Sequence, residues 1–421
     1  MKKVLAKEQK RKQYEEYLQQ EGVLTFEQFH KAGIERLLEE AVESEVEEFV
    51  GRKWYEHRTS SEELPVYRNG YYDRRLASAE GRYHVRYPRV RNSKEPFVSR
   101  ILDGFKRMHE GLKRLAVEMY VRGLSTRDIE QTLIDEQGKP ILSRSVVSEL
   151  NQRLYAEYER FRQQDLSTLD VVYVFVDGVY EAVRKYTNNQ ALLCAWAILS
   201  NGTKQMLHLV VVRSESQEAW EEFFDDMLRR GLRQPLLVIS DGNPGLINAI
   251  GRKFPRAHRQ RCIAHKLRNI MVKVPQDKQQ EILNRVKEVY YASTHSSAQL
   301  LAERFIEQYA QDFPAAVTCF SEDLDACLAH LKFPAGHHRF VRTTNLLERT
   351  FVEEKRRTKV LPSHVHERGM VGLVFGVLHR VSQRWRRVSM NPVELAQLRQ
   401  LRHLICANEP DGNFISYRVA A

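Results

Sequence analysis

The sequence predicts a multi-domain α/β protein, a strand-bearing core set among mostly helical segments. Three observations predict it. The chain has 421 residues, too many for one small domain and enough for about two to four units. At Asp170 the composition changes abruptly, and β-branched and aromatic runs replace helical periodicity. From there the order reads strand, strand, strand, helix, strand, helix, with a further strand at Arg259 to Ala264.

Hydrophobic residues make up 42% and charged residues 29% of the chain, the balance of a soluble globular protein. Its 66 Lys and Arg outnumber 55 Asp and Glu, for a net charge of +11. Such a surplus favours an anionic partner, nucleic acid or an acidic membrane surface. No apolar run approaches the roughly 18 residues that a spanning helix needs. The longest, Ala191 to Leu199, reads as a buried strand. The N-terminus is basic (Lys2, Lys3, Lys7, Lys10, Arg11, Lys12) but lacks the apolar stretch of a signal peptide. Five scattered cysteines suit a reduced, cytoplasmic setting, not a disulfide framework.

The positive charge is concentrated in two places. Arg68 to Arg114 holds 13 Lys or Arg against 5 Asp or Glu, and Arg342 to Arg387 holds 11 against 4. Both runs are interleaved with aromatic residues, as surfaces that touch a phosphate backbone are. A solvated face is the plainer reading of either run alone.

Residues 1–60 read as an N-terminal helical segment. Phe26, Phe29, Ile34, Leu37, Leu38, Val42 and Val46 recur mostly at three- and four-residue steps over an acidic face. That pattern suits a core or an oligomer contact. A polar connector at 56–66 leads into residues 61–160, a basic β element followed by a helix-turn-helix-like region. Asn69-Gly70 is a turn signal, and Tyr83, Val85 and Tyr87 alternate. Leu112, Leu115, Ala116, Met119 and Tyr120 make one helix face, which Gly123-Leu124-Ser125 breaks. Thr126 to Leu133 makes a second helix and Ser143 to Tyr158 a third. Ser143 would cap a recognition helix, with Arg144, Ser148 and Asn151 as candidates for groove contacts. A plain three-helix bundle is the alternative.

Residues 168–275 carry the strands. Val171 to Val176 ends in Asp177-Gly178, Val179 to Tyr186 alternates, and Ala191 to Leu199 is apolar throughout. These read as a hairpin plus a third strand. Ser216 to Arg229 is an amphipathic helix with Trp220, Phe223, Phe224 and Met227. Leu236 to Ser240 is a short buried strand, after which Asp241-Gly242-Asn243-Pro244 turns into a helix, Gly245 to Phe254. This is the order of a ribonuclease H-like core. Residues 276–340 show helical signals only and form an all-α insertion. Residues 341–400 hold a basic helix from about Asn345 to Lys359 and another from Met370 to Trp385, and 401–421 form a C-terminal tail.

Three carboxylates sit where such a core needs them. Asp177 ends the first strand, Asp241 follows the strand before the Gly245 helix, and Glu348 lies on the late basic helix. Strand ends bring the aspartates together, and the helix can lay Glu348 across them. Clustered carboxylates repel, so they ionise together only with divalent cations; hard oxygen ligands suit Mg²⁺ or Mn²⁺. Two such ions can activate a water or a 3′-hydroxyl and stabilise the leaving oxygen of a phosphodiester. Each residue also has a plainer reading. Asp177-Gly178 could be a hairpin turn, Asp241 a helix cap, and Asn345 with Glu348 a capping box.

At this point the sequence resembles the Mutator-like superfamily of bacterial insertion-sequence transposases, which carry two aspartates and a glutamate. The resemblance is carried by Phe175-Val176-Asp177-Gly178-Val179-Tyr180, Val238-Ile239-Ser240-Asp241-Gly242, Arg261-Cys262-Ile263-Ala264-His265-Lys266-Leu267-Arg268-Asn269-Ile270 and Thr343-Thr344-Asn345-Leu346-Leu347-Glu348-Arg349. The spacings, from 177 to 241 and from 241 to 348, also look like the family's, whose helical insertion separates the second aspartate from the glutamate. Upstream, Arg68-Asn69-Gly70-Tyr71, Pro88-Arg89 and Tyr120 through Asp128 are similar to its DNA-binding half. One departure is Phe351, where the family more often has Asn.

The resemblance implies catalytic and metal-binding roles for Asp177, Asp241 and Glu348, with two Mg²⁺ or Mn²⁺ ions per site. It also places Cys262 and His265 near the active site, where His265 could touch the scissile phosphate and Cys262 is packing. Cys262 and His265 also have the spacing of half a zinc site, with Cys319, Cys327 and His330 as distant further ligands. Arg349, Lys355, Arg356, Arg357 and Lys359 share the glutamate's helix and suit phosphate binding, as do Arg68 and Arg89 upstream. The expected partners are double-stranded DNA, as the inverted-repeat ends of a mobile element and as target, and a second copy of the chain in a homodimer or larger oligomer. No membrane partner is expected, and the setting is the bacterial cytoplasm at the nucleoid. Two rival readings are a domesticated DNA-binding protein without transposition activity and a nuclease of the same fold that does not join strands.

Overall fold

The computed structural model describes residues 26–53, 66–78, 81–134, 138–142, 144–179, 191–358 and 367–406. They fall into two compact units. One comprises the chain up to Tyr120 together with Thr126–Leu150, and the other comprises Val121–Ser125 and the chain from Asn151 onward.

The first unit is built on α1 (Phe26–Val50), β1 (Tyr67–Ser78) and β2 (Gly81–Arg91), with α2 (Arg100–Val121) and α3 (Thr126–Thr132) after them. A fourth helix, α4 (Arg144–Arg162), starts here and runs into the second unit. β1 and β2 pair antiparallel from Tyr67↔Arg91 to Ser78↔Gly81. Asn69-Gly70 is therefore not the turn that its dipeptide suggests. Both residues lie inside β1, where the register shifts between Arg68 and Tyr71 and Gly70 has φ 75°. A bulge uses the same left-handed backbone as a tight turn, so the two share a sequence signal. Leu76, Tyr83, Val85 and Tyr87 bury one face of the ribbon against Leu38 and Val42 of α1. The acidic face of α1 has its own task. Glu35 accepts from the His84 amide (2.7 Å) and Glu39 from the Arg86 amide (3.2 Å), satisfying outward donors of β2.

The second unit holds a five-stranded mixed sheet. Its members are β3 (Val171–Val179), β4 (Ala191–Leu199), β5 (Lys204–Val212), β6 (Leu237–Ser240) and β7 (His258–Arg261), in the order β5-β4-β3-β6-β7. β3, β4 and β5 are antiparallel neighbours, while β6 and β7 run parallel to β3. Helices α5 (Gln217–Arg229) and α6 (Pro244–Lys253) lie between β5, β6 and β7 in the chain. Three expectations are corrected here. Asp177-Gly178 is no hairpin turn, because β3 runs through it and pairs Asp177 with Cys194 and Gly178 with Leu193. Of the strand expected at Val179 to Tyr186, only Val179 lies within the described residues, as the end of β3. β4 pairs antiparallel with both β3 and β5, and it reaches β5, a strand not among those expected from the sequence, through Asn201-Gly202. The last strand also stops at Arg261, so Ala264 is helical.

Strand alternation sorts the sheet's side chains onto two faces. Val174, Val176 and Val238 pack with Trp220, Phe223, Phe224, Leu246 and Ile250 of α5 and α6. Tyr173, Phe175, Leu237 and Ile239 pack on the other face with Leu347 and Phe351 of α13 (Asn345–Thr358) and with α14 (Glu367–Ser382) and α15 (Pro392–Cys406). Phe351, the family departure, is thus a core residue. Between the sheet and α13 the chain is helical: α7 (Ile263–Met271), α8 (Gln279–Tyr290), α9 (His295–Tyr309), α10 (Pro314–Ser321), α11 (Leu324–Leu328), two short 3₁₀ turns and α12 (His338–Val341). Residues 401–406 belong to α15 and not to a tail. No helix among the described residues is long and apolar enough to cross a membrane.

Candidate active site

Sheet parity decides where Asp177 faces. Asp177 continues the alternation of Tyr173 and Phe175 and pairs with Cys194, so it belongs to the face that α13 covers, while Asp241 follows β6 directly. The parallel register runs to the pair of Phe175 with Ile239, two residues before each aspartate, and the Asp241 charge acts on Asp177. Asp177 is buried, with 8% of its surface accessible, and one carboxylate oxygen accepts from the Gly178 amide at 3.0 Å. Burial, and next the charge of Asp241, hold its carboxyl well above the ordinary range, while His265 opposes them. Asp241 is not the cap of α6. Asn243 is, accepting from the Leu246 amide at 3.2 Å, and Asp241 in turn accepts from the Asn243 amide at 3.1 Å.

Glu348 does not close a capping box with Asn345 either. The Thr344 carbonyl accepts from the amides of Leu347 (2.8 Å) and Glu348 (3.1 Å), so the helix begins one residue earlier than the box requires. The Glu348 carboxylate turns to α7, accepting from Arg268 at 3.1 Å with His265 Nε2 at 3.5 Å. Arg268 was missed from sequence, although its three-residue step from His265 puts both on one face of α7.

Cys262 caps the junction of β7 and α7 and is fully buried. Its sulfur accepts from the amide and the hydroxyl of Thr344, each at 3.3 Å. Burial pushes the thiol up, but the neighbouring His265 and the hydrogen bonds from Thr344 together outweigh it and bring it below its ordinary value. The His265 imidazole is raised, first by the neighbouring Cys262 sulfur and also by the charges of Asp177 and Glu348, against burial. Cys262 is thus more than packing, and its sulfur is engaged by protein. Cys319 and Cys327 are buried in the core of the helical segment, and His330 Nδ1 faces the Cys327 carbonyl at 3.1 Å. Among the described residues, no group of three or more His, Cys, Asp and Glu could hold a metal ion as it stands.

The donor chemistry nevertheless fits a hard cation at the aspartates. The charge of Asp241 adds to burial in raising the cost of ionising Asp177, and a divalent ion removes that cost. Glu348 has a suitable oxygen, currently committed to Arg268 and His265.

The expected phosphate contacts divide. Arg89 is exposed and lies over the Tyr72 ring at 5.3 Å. Arg68 is not a surface group. Its side chain is 7% accessible and lies 3.8 Å from both Glu43 and Glu47 of α1, whose acidic face draws it inward. Arg144 and Ser148 fall on α4, but their side chains, like Ser143 and the Asn151 side chain, lie outside the described residues. On α13, Arg349 is exposed and Lys355 half-buried. Arg356 and Arg357 both bind Glu353, at 2.9 and 3.3 Å, and Arg357 also reaches the Val121 carbonyl. Lys359 lies outside the described residues.

The fold and site define an α/β protein with an acidic centre at the carboxyl ends of two parallel strands. The family described as "Transposase, Mutator family" matches residues 5–388, and the chain belongs to it. It is 32% identical over 272 residues to the transposase for insertion sequence element IS6120 of Mycolicibacterium smegmatis, covering 64% of this chain and 84% of that one. It is 28% identical over 354 residues to the ISRM5 transposase of Rhizobium meliloti (84% and 87% covered). Against the IS256 transposase in Tn4001 of Staphylococcus aureus the identity is 29% over 345 residues (80% and 87%). A Drosophila P element transposase strand transfer complex aligns over 76% of this chain and 94% of its own, at 10% identity and a TM-score of 0.29, a likeness too slight to carry an argument.

Proposed function

We propose that this transposase cuts and joins DNA at Asp177, Asp241 and Glu348 on a ribonuclease H-like core. The observation that carries the reading is the pair of aspartates near the carboxyl ends of β3 and β6, whose charges interact, with Asp177 and Glu348 both acting on His265. The sheet order, three antiparallel strands followed by two parallel ones, supports the core assignment. In this reading the chain binds the inverted-repeat ends of its own mobile element, frees a 3′-hydroxyl by hydrolysis and directs it at another phosphodiester. Bringing two ends together requires at least a dimer.

Asp177 and Asp241 would hold Mg²⁺ or Mn²⁺, and Glu348 would join them. When bound, such ions activate the attacking oxygen and stabilise the leaving one. The protein's own groups do the rest. The Cys262 sulfur and the surrounding carboxylates favour the protonated form of His265, which can donate to a phosphate oxygen. The burial of Asp177 keeps water from screening the charges that develop there.

The test is a duplex carrying the element's terminal repeat, incubated with purified protein and a target plasmid, with Mg²⁺ or with EDTA. Joined products that need Mg²⁺ support the reading. Cleavage without joining would make the chain a nuclease, and binding alone a DNA-binding protein.

A further inference from the structure

Arg261 ends β7, one residue before Cys262, and only 7% of its surface is accessible. Its Nε is sealed from solvent and finds no acceptor, and among the described residues no carboxylate ion-pairs with the group. Arg259, two residues earlier on the same strand, shows the usual solution: its guanidinium meets Asp323 at 2.6 Å. A guanidinium cannot shed its charge. Burying one without a counter-ion is costly, and a fold tolerates it where a ligand supplies the missing charge.

The direction of the side chain identifies that ligand. A Cβ on Gly242 would lie 1.1 Å from Nη1, 1.6 Å from Cζ and 1.8 Å from Nη2 of Arg261. The guanidinium therefore fills the space that a side chain at position 242 would take. Gly242 is half-buried and stands between Asp241 and the helix cap Asn243. The planar cation lies against the backbone one residue from Asp241. An anion drawn to that edge would sit beside the carboxylates, and a guanidinium fork matches two oxygens of a phosphodiester.

We propose that Arg261, seated on Gly242, binds a backbone phosphate of the DNA strand next to the one being cut. This rests on the reading of the chain as a DNA-cutting enzyme. Arg261 thereby sets where along the strand Asp241 acts, and Gly242 is required because only its bare backbone admits the guanidinium.

The experiment uses the full chain and a duplex with the terminal repeat, in which single phosphates near the cut are replaced in turn by neutral methylphosphonates. In the wild type, one replacement should slow cleavage roughly ten- to hundredfold, as expected for a lost charge-assisted pair. In Arg261→Met, cleavage of the unmodified duplex should be slower by a similar factor, with no further loss at that phosphate. Gly242→Ala should behave likewise with Arg261 intact. Without DNA, Arg261→Met should melt at or above the wild-type temperature, because the stem is kept and a buried charge removed. An Arg261→Met protein that keeps the wild-type methylphosphonate pattern would overturn the proposal. So would one that melts well below wild type and loses cleavage equally on every duplex. A wild type that cuts no duplex with Mg²⁺ would overturn the underlying reading instead.

Discussion

The buried sulfur of Cys262 holds Thr344, the residue from which the glutamate helix starts. Both Thr344 donors reach it at 3.3 Å. The Cys262 amide donates in turn to the Ser240 carbonyl at 2.8 Å, next to Asp241, and the Thr344 carbonyl accepts from the Glu348 amide at 3.1 Å. A short relay of hydrogen bonds thus connects the second aspartate to the glutamate. Its middle link is a thiol.

Cys262→Ala should leave two buried Thr344 donors without an acceptor. We expect a loss of about 1–3 kcal/mol in stability and a larger loss in cleavage than in end binding, since α13 is no longer tied to β7. Cys262→Ser keeps an acceptor and should recover part of both. Denaturant melts alongside cleavage and binding assays on the two variants decide it. Equal activity in Cys262→Ala would mean that the relay positions nothing.

Arg68 and Arg89 should separate structure from binding. Arg68→Ala removes a buried cation from Glu43 and Glu47 and is expected to lower stability by a few kcal/mol, roughly 3. Arg89→Ala should leave melting unchanged, weaken DNA binding and reduce its salt slope by about one counter-ion. An Arg89→Ala protein with the wild-type salt slope would remove Arg89 from the interface.

Asp177→Asn should abolish Mg²⁺-dependent cleavage and spare end binding. Its stability without metal follows from the raised carboxyl. Above the ordinary carboxylate range the native state holds more protons than the unfolded chain, so wild-type stability falls as pH rises towards the native pKa. Asn carries no such proton, and the variant should be the more stable at neutral pH. Chemical denaturation at pH 5 and pH 7 without metal checks the sign. Residual cleavage at the wild-type rate would remove Asp177 from the centre.

Much of this was legible because the chemistry-bearing residues sit at turns and strand ends with strong local signals. Asp241-Gly242-Asn243-Pro244 could be read as a break before a helix, though the cap fell to Asn243. Local signals misled where one dipeptide serves two geometries: Asn69-Gly70 makes a bulge and Asp177-Gly178 stays in a strand, while the true turn at Asn201-Gly202 passed unread. What the sequence hid was tertiary. Nothing local tells that Tyr173 bonds His337 164 residues away at 2.8 Å, that Arg68 turns inward, or that Arg261 lies on Gly242.

Acid should destabilise the second unit through two buried histidines. Burial, and then Arg230, push His208 down to about 3; burial, and then His338, push His330 down to about 4. Both stay neutral when folded but protonate in the unfolded chain below its ordinary value of 6.5. Their contribution is complete above that pH and is lost as pH falls from it, at up to about 1.4 kcal/mol per pH unit for each. Denaturant melts of His208→Asn between pH 7 and pH 5 should show a shallower slope than wild type. An unchanged slope would mean that His208 titrates alike in both states.

Glu348→Gln separates a structural carboxylate from a catalytic one. Glu348 binds Arg268, whose side chain is 63% accessible, so the pair contributes little. Gln can still accept from Arg268, and the capping geometry at Thr344 uses backbone atoms only. Melting should therefore shift by less than about 1 kcal/mol. Strand cleavage is a different matter. The substitution removes one negative charge from a centre proposed to hold two dications, and nicking should fall by orders of magnitude. The two readouts come from one purified variant, so a folding defect cannot pass for a catalytic one. A Glu348→Gln protein that nicks at close to the normal rate would mean that the third ligand lies elsewhere on α13. Glu353 would have to leave Arg356 and Arg357 to serve, and Glu354 is fully buried. Either would therefore require α13 to move, and a change in the protease sensitivity of α13 on adding Mn²⁺ would then be expected in that variant.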